Sequence, residues 1–290
     1  MIKVTVLLLA LLLLQSSSNA LSSSSPRRDA FKKSIAQAAS FLPPPPGADM
    51  VSSSLISSLA VMAIKSRLKE ERDVSCDVSF SSSDLLLNGR VGPVTVSGKG
   101  WRSSRGLSCR AIQATVGLCE LDASKILSSR KLLLTTPALG KAMVALNAHD
   151  FGNFITHPLM QPPTSASGDV SSIEFLPEGT LVDPVTASVV FFARYAGTKW
   201  RCALQRSQVA KKAAVSVSSA EEVGVVAGQD MVVAKLAEVL QRYFNEMVFE
   251  LDGTYLSFRD MMVTDKGEAP SVMLALNIKV RKLPSPGIDF

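Results

Sequence analysis

The chain has 290 residues, of which 47% are hydrophobic and 6% aromatic, enough apolar material for one or two domains with a sizeable core. Its formal charge of +6 does not mark a nucleic-acid binder: residues 1–48 hold five of the 31 basic residues and one of the 25 acidic ones, so the remainder stands at +2. No dense Lys/Arg run with interleaved aromatics follows, which argues against nucleic acid as a partner.

The N-terminus reads as an address. "MIK" is basic, "VTVLLLALLLLQ" is apolar, and "SSSNA" supplies small residues before a cut, so residues 1–20 are expected to be a secretory signal. The apolar run is short for a permanent span of roughly 20 residues, and an uncleaved anchor is the alternative reading. Residues 21–48 begin "LSSSSPRRDAFKKSIAQAASFL", Ser- and Ala-rich with four basic residues and one acid, the composition of a transit peptide. A signal followed by such a segment resembles the two-part presequences of algae with secondary plastids and implies delivery to a plastid. Secretion or an endomembrane location is the alternative, although the chain has no N-x-[ST] sequon. "PPPPG" then forms a stiff spacer, and residues 49–290 form the folded body.

Within the body, Met50 to Arg72 predicts a helix capped by Asp49, with Val51, Leu55, Leu59, Met62 and Leu68 near one face. The period then changes to two. "VSCDVSF" places Val74, Cys76, Val78 and Phe80 on one face of a strand, and Asn88-Gly89 is a hairpin signal. "LSCRAIQATVGLCEL" and "KLLLTTPALGKAMVALN" predict further strands, with Asp122 capping a short helix between them. "SSIEFLP" is a short strand. "ASVVFFARYAGTKWRCALQR" is a hairpin turning at Ala196, Gly197 and Thr198. Gly228 to Met247 predicts a second long helix, with Val232, Leu236, Val239, Leu240, Tyr243 and Met247 in one stripe. "FELDGTYLSF" is a hairpin about Asp252-Gly253, and "SVMLALNIKV" closes the body as a strand. Two long helices among many strands predict an α+β fold with a long curved antiparallel sheet rather than a doubly wound parallel one.

No cofactor, metal or catalytic constellation emerges. Cys76, Cys109, Cys119 and Cys202 are widely spaced and contain no C-x-x-C, so buried thiols are expected rather than a zinc site, with disulfides, which an even count after a secretory signal permits, as the alternative. "GPVTVSGKGW" has the wrong spacing for a phosphate loop. The stretch "NAHDFGNFITHPLM" holds both histidines. His149 and His157 are eight apart, which on a helix separates them by about 12 Å along the axis, too far to share one ion. The economical reading is structural. Asn147 or His149 caps a short helix, Asp150 favours its first turn, and Pro158 ends it. Phe151, Phe154, Ile155, Leu159 and Met160 then form a surface that seals or lines an apolar interior. Trp101, between Lys99, Arg102 and Arg105 in what reads as a loop, suits a lipid–water interface, with the three cations as candidate headgroup contacts. A core anchor with solvated neighbours is the other reading of that Trp.

Four stretches, "GPVTVSGKGWRSSRGLSCRAIQATVGLCELD", "PALGKAMVALNAHDFGNFITHPLM", "YFNEMVFELDGTYLSFRDMMV" and "LALNIKVRKLPSPGIDF", resemble the DUF2993 family of LmeA-like phospholipid-binding proteins, in its cyanobacterial and plastid branch. The resemblance covers roughly Ser75 to Phe290. It implies a curved antiparallel sheet wrapped around one or two long amphipathic helices, an apolar groove, and binding of lipid at a membrane surface without chemistry. The candidate lipid contacts are then Trp101, Phe151, Phe154, Ile155, Leu159 and Met160. Two alternatives stand beside it: a scaffold or assembly factor whose core is filled by its own side chains, and a lipid-acting hydrolase using His149, Asp150 and His157.

Overall fold

The computed structural model describes residues 48–79, 84, 88–122, 124–125, 133–158, 160, 173–209, 211–220, 229–251, 253–265 and 269–281. The address expected in residues 1–48 lies outside these apart from Ala48, as do Phe80 and Leu159. The described chain is an antiparallel α+β fold with three helices.

Helix α1 (Ala48–Lys65) leads into β1 (Leu68–Glu70) and β2 (Asp73–Val78). The strands β3 (Arg90–Val91), β4 (Val94–Ser103), β5 (Ser108–Val116), β6 (Cys119–Glu120) and β7 (Ala138–Leu146) follow, then the short helix α2 (Ala148–Ile155). Four more strands come next: β8 (Glu174–Asp183), β9 (Ser188–Tyr195), β10 (Thr198–Arg206) and β11 (Ala213–Ser219). Helix α3 (Gln229–Glu246) precedes β12 (Val248–Leu251), β13 (Thr254–Thr264) and β14 (Ser271–Val280). An eight-stranded sheet runs β1-β4-β5-β7-β14-β13-β12, with β2 also paired to β4. A four-stranded sheet runs β11-β10-β9-β8, and β3 with β6 forms a small ribbon.

The large sheet buries one face. On β14 the residues Val272, Leu274, Leu276, Ile278 and Val280 are all buried, in the alternation expected of a half-buried strand. Their partners across β7 include Leu146, Ala142 and Ala138, and across β13 Met261, Leu256 and Thr254. Over one end of this face lie Ala60, Ala63 and Ile64 of α1, with Val78, Val94, Val96 and Trp101. Over the other end lie the four-stranded sheet, α2 and α3, with Phe151, Phe191, Leu236, Leu240 and Phe244 at the centre. Half-buried Cys109, Val144 and Phe249 touch both interiors.

Several expectations change. The first helix ends at Lys65 rather than Arg72, and Leu68 instead pairs with Ser103 of β4. The six-residue step from Met62 to Leu68 never fitted a helical stripe, and it marks the exit. The buried side of α1 is Ala60, Ala63 and Ile64, while Met62 is 40% exposed. Asn88-Gly89 does not close a hairpin: β2 pairs with β4, and β3 with β6, although Gly89 keeps a positive φ of 62°. The strand at "SSIEFLP" runs on through Pro177 and Gly179 to Asp183, because the ladder with β9 shifts between Leu176 and Leu181 and absorbs both residues. The Ala196–Gly197 turn forms as expected, with φ of 50° and 76°, the left-handed pair of a two-residue hairpin.

Trp101 is not in an exposed loop. It lies inside β4 and is 5% exposed. Val94, Val96 and Gly98 are buried before Gly100, and Trp101 and Ser103 after it, so the alternation inverts at that residue, whose φ is +59°. The indole folds back over Gly98, and its Nε1 donates to the Asp73 carbonyl at 2.9 Å. A Cβ on Gly98 would stand 2.1 Å from that nitrogen.

The close approach of β5 and β7 is equally demanding, since a Cβ on Gly140 would sit 2.4 Å from the Thr115 carbonyl oxygen. Backbone cannot yield as a flexible side chain can. Gly140→Ala is expected to lose about 1–3 kcal/mol of stability in denaturant unfolding. Phe151→Ala, which empties a fully buried position between Phe154 and Phe191, is expected to lose about 3–5 kcal/mol. An unchanged unfolding midpoint in either variant would contradict the packing described.

Candidate functional site, a basic cleft between a strand turn and a short helix

Both histidines and two of the three candidate cations meet in one place. A cleft of about 370 Å³ is lined by Arg102, Arg105, Gly106, His149, Asn153, Thr156, His157 and Pro158. One wall is the connection from β4 to β5. The Ser103 amide donates to the Leu107 carbonyl at 2.7 Å, the Gly106 amide to the Ser103 carbonyl at 3.2 Å, and the Leu107 amide to the Ser103 hydroxyl at 3.0 Å. Gly106, at φ +91°, lets the turn close.

The other wall is α2 and the turn after it. Asn147 caps the helix, its side chain accepting from the Asp150 amide at 2.8 Å. Asp150 accepts in return from the Asn147 amide at 3.3 Å, which completes a capping box. The second oxygen of Asp150 accepts from the Ser108 hydroxyl at the start of β5. This buried carboxylate therefore ties α2 to the strand that leaves the opposite turn, and so sets the width of the cleft. Phe151 and Ile155 anchor the inner side of the helix, at 0% and 1% exposure. Gly152 lets α2 pack closely on β8, because a Cβ there would sit 2.9 Å from the Pro177 carbonyl.

The helix ends at Ile155. Thr156 donates its hydroxyl to the Gly152 carbonyl at 2.8 Å, and the His157 amide donates to the Phe154 carbonyl at 3.3 Å. His157 thus lies past the helix end and is buried, whereas His149 is exposed on the first turn with its Nε2 3.1 Å from the Asn153 side-chain amide. Burial holds the His157 imidazole below its ordinary pKa of 6.5; a hydrogen bond to the Arg105 backbone acts against this, and the Arg105 charge adds to it. Arg102 pairs at 3.2 Å with Glu70 of β1.

Of the expected site residues, Arg102 and Arg105 reach the cleft. Lys99 is exposed on β4, in register with Asp73 and Ala111, and does not line it. Phe151, Ile155 and Met160 are buried in the second interior, and Phe154 packs edge-on against Phe249 at 5.5 Å. These expected lipid contacts pack inside the protein and do not line the cleft; Leu159 lies outside the described residues. Asn153 and Thr156 were missed. The His149–Asn153 spacing of four is visible in sequence, but the turn it faces is not. The Asp150 oxygens are committed to Asn147 and Ser108, so this carboxylate does not line the cleft.

The four cysteines are free thiols. Burial pushes Cys119 up to about 11 and Cys202 up to about 12, which keeps both protonated and unreactive. Among the described residues no group of His, Cys, Asp or Glu could hold a metal ion, and no helix is long and apolar enough to cross a membrane. A second depression, of about 490 Å³, lies on the large sheet and is lined by Thr115, Gly117, Leu139, Gly140, Lys141, Asn277 and Ile278. Comparison with family models, with curated proteins and with solved structures finds no match for this chain.

Because the folded state holds His157 below its unfolded pKa, the neutral ring is the form the fold accepts. Its contribution to stability is whole above the unfolded value and is lost as the pH falls from there through the lower folded value. Thermal melts between about pH 5 and 7 are expected to show a steeper fall for the native chain than for His157→Gln. Parallel profiles would contradict the assignment.

Proposed function

We propose that the protein binds lipid, phospholipid or galactolipid, without catalysing a reaction on it, at the surface of a plastid or other envelope membrane. The observation that carries this reading is the outer face of the large sheet. Leu139 is 65% exposed there and Met143 40%, and on the same face Met262 is 53% exposed. Thr115, Lys141 and Asn277 stand in register across β5, β7 and β14, and with Leu139 they wall the 490 Å³ depression. Gly117 and Gly140 add no side chains to its floor. An acyl chain laid in it would gain about 0.8 kcal/mol for each CH₂ removed from water. Lys141 at the rim suits a phosphate or a sugar hydroxyl.

The resemblance to the LmeA-like phospholipid-binding family supports the same reading. In it, the large sheet curves about α1 and α3, and the lipid surface is the sheet's outer side. The filled interiors favour a second reading, a scaffold with no lipid: Phe151, Phe191 and Ile64 are all 0% exposed, which leaves the core occupied by the protein's own side chains.

Flotation with phosphatidylglycerol or galactolipid vesicles, with native mass spectrometry of the purified full chain, separates the two. The lipid reading expects co-flotation and retained lipid. Leu139→Glu combined with Met143→Glu is expected to abolish both while changing stability by no more than about 0.5 kcal/mol, since both positions are exposed. A native chain that floats with no vesicle and carries no lipid would leave the scaffold.

A further inference from the structure

We propose that the cleft between the β4–β5 turn and α2 is a binding site for a small phosphate-bearing anion, separate from the sheet surface and not dependent on the lipid reading. Two guanidinium groups, Arg102 and Arg105, face the exposed His149 imidazole across about 370 Å³ of open space, and the His157 ring is buried in the wall beside them. The residues that line it include no carboxylate. That balance opposes a metal cation, which would sit against two fixed positive charges, and it favours an anion. Arg presents several N–H donors in a rigid fork that matches phosphate oxygens two at a time. Asn153, held by His149 at 3.1 Å, adds an amide that can turn toward a ligand oxygen. Thr156 contributes less, because its hydroxyl is spent on the Gly152 carbonyl.

The site is built rather than incidental. Asp150 joins α2 to β5 through Ser108, and the Ser103 hydrogen bonds close the turn that carries Arg105, so both walls are anchored in buried structure. Glu70, the partner of Arg102, is itself well exposed on β1, and a pair so open to water holds weakly. An arriving phosphate can displace it. The volume is at the lower end of the roughly 300–1,000 Å³ range of small-molecule pockets. It admits a phosphate with a small organic group, not a pair of acyl chains. The sheet depression starts at Thr115, near the far end of β5, while the cleft on this wall reaches no further along the chain than Gly106. The six β5 residues from Cys109 to Ala114, at about 3.3 Å each, lie between them.

The test is titration of the full chain with inorganic phosphate, read by calorimetry and by the imidazole resonances of the two histidines, beside flotation with vesicles containing phosphatidylglycerol. Arg105 is exposed, so Arg105→Gln leaves the fold in place; Arg242→Gln on α3, outside the cleft, is the control. Phosphate binding that shifts the histidine resonances, weakens at least about tenfold in Arg105→Gln and persists in the control supports the proposal, with a soluble phosphate ligand as the source. Vesicle binding that depends on Arg105, without free phosphate binding, supports it with a lipid headgroup as the source. No binding in either arm at about 10 mM phosphate, ten times a Kd of ~1 mM, overturns it. So does binding that Arg105→Gln leaves unchanged.

Discussion

Strand β14 stands between two interiors, and the rest of the molecule depends on its register. Val272 and Leu274 enter the interior covered by the small sheet, α2 and α3, while Leu276, Ile278 and Val280 enter the one covered by α1. A slip of one residue would turn all five to solvent and bring Met273, Ala275, Asn277 and Lys279 inward. The flanking ladders resist it, because nine consecutive pairs join β14 to β7 and a bulge after Phe258 fixes its pairing with β13. Among the described residues, the same alternation leaves the sheet's other face exposed. Its exposed apolar residues are thus a consequence of the register that builds the core.

The basic cleft follows from a second, more local constraint. A helix of eight residues is marginal by itself. Here α2 is held by the Asn147–Asp150 capping box, by Phe151 and Ile155 on its inner side, and by the Ser108 hydroxyl on Asp150. Once these are satisfied, the outer residues of the helix and of the turn after it line a cleft with the turn that carries Arg105. His149 is carried to the cations by helix packing in which its own ring takes no part, whereas His157 is itself buried there and bonded to the Arg105 backbone.

The long helices, most strands and the one-sided alternation were legible because each depends on local periodicity. The cap was readable in part: Asn147 is one of two candidates in the sequence, and Asp150 reads as a first-turn charge, while their reciprocal bonding is a finding of the structure. Trp101 was not. One glycine at positive φ inverts the alternation of β4, and a single sequence does not reveal which glycine will do so. The hairpin at Asn88-Gly89 failed for a related reason: the positive φ is real, but the partners of the flanking strands lie elsewhere in the chain. The meeting of Arg102 and Arg105 with His149 and His157 spans some fifty residues and arises only when β5 and β7 pair across Ala111–Ala145. One continuous helix would hold His149 and His157 about 12 Å apart along its axis, but the helix stops two residues short of His157.

On the proposed reading, the exposed face of the large sheet is the surface that meets lipid. A phospholipid with a photoactivatable acyl chain, incubated with the full chain and mapped by peptide mass spectrometry, is then expected to give adducts concentrated at residues 115–118, 139–143 and 277–279. Adducts confined to other surfaces, or none at all, would contradict that reading.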